Sequence, residues 1–126
     1  MSFNMEHAEH FRHVFNIPCN RAQRSIQKTL IVEEVKEFLE AEQVMINGFT
    51  RNESDCLKEL ADVVYVCFQF AAAMDWDLDQ AMSRVHESNL SKLDEDGKPI
   101  YREDGKVMKG PNYQPPDLSD LVCLKS

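Results

Sequence analysis

Apolar side chains recur at helical intervals through the first three quarters of this chain and lose that rhythm beyond Leu93. Phe3, His7, Phe11, Val14 and Phe15 follow helical spacing, and Pro18 turns its predecessor Ile17 away from helical geometry, so a short amphipathic helix is predicted over about 3–16. Asn20 with Gln23 matches a capping box, and the periodic run that follows lasts until Asn47 and Gly48 supply a stop, which gives a second helix over about 21–47. Asn52 or Ser54 can cap a third, over about 53–74, whose core CLKELADVVYVCFQFAAAM is apolar on more than one side. Val63, Val64 and Val66 also suit a strand, but the length of the run and the Ala71–Ala73 tail favour helix. Asp77 with Gln80 opens a fourth helix, over about 78–92. Short connections make an all-α, antiparallel four-helix bundle the natural packing. The segment 94–126 is rich in Gly and Pro, and Asp104-Gly105 between two short extended runs predicts a small C-terminal β-hairpin followed by an irregular tail.

A chain of 126 residues is sized for one domain, 1–126. Its 22 acidic against 14 basic side chains give a net charge of −8, and no stripe of Lys and Arg interrupts that balance. Binding to polymeric nucleic acid or to an anionic membrane is thereby disfavoured; a small anionic ligand remains feasible if a metal bridges it to the protein. Cys19, Cys56, Cys67 and Cys123 have no CxxC spacing and read as reduced thiols rather than a zinc site or a disulfide frame. The first residues lack the features of a secretory or mitochondrial leader, and no apolar run reaches the ~18–20 residues of a membrane span, so a cytoplasmic location is expected.

Charge changes the picture most inside the two longest helices. Glu33, Glu34 and Glu37 sit in LIVEEVKEFLEA, and Glu59 and Asp62 in LKELADVVYV. Positions three or four apart share a helix face, so two adjacent helices could turn all five carboxylates to one spot. Like charges at that spacing cost roughly 0.2–0.5 kcal/mol per pair, and crowding them in a partly dry groove costs more. A hard divalent cation converts that repulsion into binding, and oxygen-only ligands suit Mg²⁺, or Mn²⁺ in its place, rather than zinc. The plainer alternative is a solvated charged face, since so acidic a chain produces such spacings by chance.

Glu34-x-x-Glu37 and Glu59-x-x-Asp62, with 21 residues between them on consecutive helices, resemble the paired acid motifs of the MazG-like all-α nucleoside triphosphate pyrophosphohydrolases. Beyond the motifs, the EExxE form at Glu33–Glu37, ESNLSK at 87–92 and the tail DGKPIYREDGKVMKGPNYQPPDL resemble the short stand-alone members of bacteria and phages, which are themselves similar to phosphoribosyl-ATP pyrophosphohydrolase. The likeness runs from about residue 21 onward and is weakest in the first helix. It implies a Mg²⁺-dependent enzyme that splits a (d)NTP into (d)NMP and pyrophosphate by attack of water on the α-phosphorus. It implies Glu34, Glu37, Glu59 and Asp62 as metal ligands, and Glu33 as a ligand of a further ion or the acceptor of the water's proton. From the same match, Lys92 with Asn89 one turn earlier, and Lys109 beside Gly110, are expected at the phosphates, with Lys28 and Arg24 as weaker choices. The lysines equally suit solvated charges at helix ends.

Phe15, Asn16, Trp76 and Tyr113 are candidates to meet the base, although each also suits packing. His7, His10 and His13 drift around their helix, lack partner ligands and read as surface or interface residues. Apolar surface beyond what one such unit covers predicts a dimer, and the resemblance implies a homodimer or homotetramer. The competing readings are phosphoribosyl-ATP hydrolysis and a catalytically silent acidic helical module that binds a protein.

Overall fold

The computed structural model describes residues 2–47 and 52–122; Gly48, half of the expected stop of the second helix, and Cys123 lie outside them. The chain divides into two compact units, Met1–Asp77 and Leu78–Ser126. All four expected helices form: α1 (Met5–Val14), α2 (Arg24–Ile46) and α3 (Asn52–Met74) in the first unit and α4 (Leu78–Leu90) at the head of the second. The all-α class is therefore observed.

In the first unit α2 and α3 make the main pairing, and α1 packs on α3. Paired helices so close in sequence run antiparallel, α2 against α3. The buried apolar positions are Met5, Ala8, Cys56 and the run Ala71–Met74, where small side chains let backbones approach closely. Arg12 is only 1% exposed. Its guanidinium donates to Gln69 Oε1 (3.1 Å) and to the Pro18 carbonyl (2.6 Å), while Gln69 Nε2 donates to the Ala8 carbonyl (3.3 Å). This polar clasp fixes α1 across the later turns of α3.

Helix boundaries follow from side-chain caps. At the start of α1 the Asn4 side chain accepts from Glu6 N (2.9 Å) and Asn4 N donates to His7 Nδ1 (3.2 Å), so His7 is a capping residue and not a simple surface one. The other end closes with Asn16 at φ 55°, its N–H donating to the His13 carbonyl and Ile17 N–H to the Arg12 carbonyl. This is a Schellman closure two residues before Pro18. The same closure ends α3, with Asp75 at φ 59° and Trp76 N–H donating to the Ala71 carbonyl. Asn20 caps as expected, but the turn it begins, Arg21–Gln23, is a 3₁₀ helix and α2 starts at Arg24.

In the second unit the expected β-hairpin does not form as two strands. Among the described residues the segment has a single antiparallel bridge, Tyr101 to Val107, around the Asp104-Gly105 turn. Pro99 brings no N–H to a ladder, and the flanking side chains are largely exposed, so nothing extends the pairing. The rest of the tail straps onto α4: Ser88 Oγ donates to the Gln114 carbonyl (2.6 Å), Gln114 N donates to Ser91 Oγ (2.9 Å), and Arg84 grips Asp120 through two hydrogen bonds (2.5 and 3.0 Å). No helix among the described residues is long and apolar enough to cross a membrane.

Candidate metal centre

The α2–α3 pairing brings Glu34, Glu59 and Asp62 together, each offering a carboxylate oxygen within 4.8 Å of the others. Glu59 and Asp62 are three apart on α3 and share a face, and Glu34 meets them from α2. All three are half-buried. Oε2 of Glu34 and Oε2 of Glu59 are both buried without a hydrogen-bond partner. A buried charged acceptor left unpaired costs about 1–3 kcal/mol or more.

Electrostatics inside the cluster agree with its geometry. Burial of its own carboxyl, then a hydrogen bond shared with Glu37, then the negative charges of Glu37, Asp62 and Glu59 hold the Glu34 carboxyl above its usual value of 4.5. Among the described residues one basic group answers them: Lys58 Nζ lies 2.7 Å from Asp62 Oδ2, an i,i+4 pair, and 3.6 Å from Glu59 Oε1. Three ionised carboxylates against one ammonium leave two negative charges. Oxygen-only donors, two desolvated lone oxygens and a residual charge of two fit a hard divalent cation. Neither Cys nor His enters the set.

The other expected site residues are distributed differently. Glu37 is exposed and reaches the cluster only through Glu34; Glu33 is exposed and shares no resolved interaction with it. Lys28 and Arg24 are exposed on α2, and six residues of helix turn Lys28 about 120° away from Glu34. Asn16 is exposed and serves as the left-handed terminator of α1. In the second unit Asn89 is exposed on α4, Lys92 is half-buried just past its end, and Lys109 Nζ lies 4.7 Å from the centre of the Tyr113 ring. Phe15 packs at a tilt against Phe11 (4.6 Å) and Trp76 against Phe70 (5.7 Å), the packing roles anticipated for them.

Two polar groups of α2 and α3 escaped the sequence reading. Lys58 was legible as the residue four before Asp62. Gln27, buried with an unpartnered Oε1, stands seven residues before Glu34 and so continues its face of α2.

A family model described as phosphoribosyl-ATP pyrophosphohydrolase matches residues 10–89, a stretch that contains both acid clusters and stops short of Lys92 and Lys109. No curated protein sequence matches the chain.

Proposed function

We propose a nucleoside triphosphate as the substrate of this chain, which belongs to the phosphoribosyl-ATP pyrophosphohydrolase family and thus to the MazG-like all-α superfamily. Hydrolysis of a phosphoric anhydride with release of pyrophosphate comes with the family; the (d)NTP substrate and Mg²⁺ are the finer reading. The observation that carries it is the meeting of Glu34, Glu59 and Asp62 with two buried, unpaired carboxylate oxygens. A divalent cation held there would offset the repulsion between a triphosphate and a chain of charge −8.

Glu34, Glu59 and Asp62 would hold the Mg²⁺, with Mn²⁺ able to substitute. Bound there, the ion would neutralise phosphate charge and acidify a coordinated water. Glu37 shares a hydrogen bond with Glu34, which links it to the cluster. Glu33 would receive the proton of the attacking water or ligate a further ion, and Glu37 would add a ligand beside Glu34. The water oxygen adds to the α-phosphorus as the bridging bond to the β-phosphate breaks; the products are (d)NMP and pyrophosphate, with a proton released.

Val32, Val35 and Leu39 on α2, and Leu57, Leu60 and Val64 on α3, leave exposed stripes at i, i+3, i+7 spacing. They support a homodimer or homotetramer. The family description favours a second substrate, phosphoribosyl-ATP; against it stands the long tail after residue 89, which the family match does not include. The deciding assay offers canonical and modified NTPs and dNTPs, and phosphoribosyl-ATP, with Mg²⁺, and measures pyrophosphate and orthophosphate separately. Pyrophosphate with a (d)NMP supports the proposal. Turnover of phosphoribosyl-ATP alone establishes the second substrate, and a folded protein inert on all of them leaves only the silent module.

A further inference from the structure

The second unit gathers basic side chains as deliberately as the first gathers acids. From Asp94 to Gly110 the backbone folds back on itself through side-chain caps. Asp94 Oδ1 accepts from Asp96 N (2.9 Å) and Lys98 N (2.8 Å), and Asp104 Oδ1 accepts from Arg102 Nε (2.8 Å) and Lys106 N (3.2 Å). Arg102 N–H donates to the Lys106 carbonyl (2.7 Å) and Met108 N–H to the Ile100 carbonyl (2.7 Å), which sets Arg102 and Lys106 facing each other across the turn.

Gly110 then ties this turn to the end of α4. Its N–H donates to the Lys92 carbonyl at 2.8 Å. A Cβ at position 110 would collide with the Leu93 carbonyl and stand 2.7 Å from the Lys92 carbonyl, so glycine is what allows the approach. The result is a cavity of about 410 Å³ lined by Lys92, Arg102, Lys106, Val107, Met108 and Lys109. Arg102 is paired with Asp104. Among the described residues no carboxylate pairs with Lys92, Lys106 or Lys109. Four cations against one acid leave three uncompensated positive charges around one hollow, in a chain whose overall charge is −8.

The geometry points to a binding pocket for a phosphoric-anhydride anion, a pyrophosphate group, in which Arg102 and Lys106 act together with Lys92 and Lys109. A single small anion answers one or two of these cations; a diphosphate spreads several charges over the distance between separate ammonium groups, and the guanidinium offers planar, directed donors to its oxygens. The assignment of the anion rests on the pyrophosphohydrolase reading; the existence of the pocket does not. The terminal phosphates of an NTP and free pyrophosphate share this chemistry.

The test titrates the full-length protein with inorganic pyrophosphate in EDTA by calorimetry, with orthophosphate as the comparison, so that neither turnover nor metal is involved. Saturable binding is expected, tighter for pyrophosphate than for orthophosphate and weakened by salt. Arg102→Ala with Lys106→Ala should weaken it about tenfold or more, as loss of hydrogen bonds to charged groups requires, with an unchanged far-ultraviolet circular dichroism spectrum. Asp104→Asn keeps an acceptor for the Lys106 N–H but frees Arg102, and should tighten binding. A KM for nucleotide that rises in the double variant places the substrate's phosphates in the pocket; a KM that stays, with pyrophosphate inhibition weakened, places the released product there. Absence of saturable binding, equal affinity in parent and double variant, or loss of binding in Glu34→Gln instead, overturns the proposal. A failed turnover assay with intact pyrophosphate binding would sink the hydrolase reading alone.

Discussion

Carboxylates in the two units live under opposite conditions. Asp104, Asp117 and Asp120 of the second unit sit on the surface with donors around them: Arg102 and the Lys106 N–H for Asp104, the Ser119 hydroxyl and N–H for Asp117, Arg84 for Asp120. Each is held below the usual aspartate value of 3.8 by those bonds. Glu34 of the first unit is held above 4.5 by burial and by other acids, and its Oε2, like that of Glu59, has no partner. A surface carboxylate with donors on each side organises a turn. A crowded one with a buried lone oxygen lowers stability until a cation arrives, and that difference separates the candidate centre from the chain's many other acids.

The sharpest way to break the comparison is to neutralise one acid of each kind. Glu59→Gln should lower turnover by about a thousandfold, the scale associated with losing one electrostatic anchor of a transition state, while the metal-free protein melts no lower than the parent because a repulsion has gone. Asp117→Asn should leave turnover near the parent rate and cost some stability. Equal rate losses in the two variants, measured as pyrophosphate release, would erase the distinction.

Metal addition should act on the first kind of acid alone. At a hundredfold excess over its Kd, Mg²⁺ should stabilise the protein by about 2.7 kcal/mol, read as a rise in melting temperature that EDTA reverses. Glu34→Gln should lose most of this rise. An undiminished response in that variant would take Glu34 out of the ligand set.

How far such contrasts were legible depends on which forces act locally. The helices were, because apolar spacing survives any tertiary context, and so was the meeting of Glu34 with Glu59 and Asp62, because a short connection between two long helices fixes their antiparallel register. The fate of Glu33 and Glu37 was not: spacing of three or four permits a shared face, but the crossing of α2 with α3 decides which turn faces inward, and only Glu34 does. The hairpin expectation read the Asp104-Gly105 turn correctly and overestimated its flanks, which bury too little to extend the single bridge at Tyr101 and Val107. Asn16 and Asp75 were hidden as helix terminators because glycine, not Asn or Asp, is the usual signal for a left-handed residue. The pocket of the second unit was the least visible, since Lys92, Arg102, Lys106 and Lys109 look scattered until Gly110 docks on Lys92.

Acid titration should separate the two kinds of carboxylate by sign. Glu34 binds its proton more tightly folded than unfolded, so its contribution to the stability of the metal-free protein is fully present below 4.5 and is lost as pH rises through the raised folded value. Asp104, Asp117 and Asp120 run the other way: their contribution is present above 3.8 and is lost as pH falls through their lowered values. Melting temperature in EDTA should therefore rise slightly as pH drops from neutral toward mild acidity and fall in stronger acid. Glu34→Gln should flatten the first limb and keep the second. Mg²⁺ should reverse the first limb, because it needs the deprotonated carboxylate.

The smallest effect concerns the cation already present. Lys58 is exposed and pairs with Asp62 and Glu59 at the edge of the centre, so solvent screens it and its loss should hardly move the melting temperature. Its ammonium nevertheless competes with a metal for the same Asp62 carboxylate. Lys58→Gln should shift the Mg²⁺ midpoint for turnover to lower concentration, most clearly at low salt where the charge of Lys58 is least screened. A higher Mg²⁺ requirement in this variant would mean that Lys58 supports the loaded centre rather than guarding the empty one, and the contrast between satisfied and waiting acids would have to include a residue that is both.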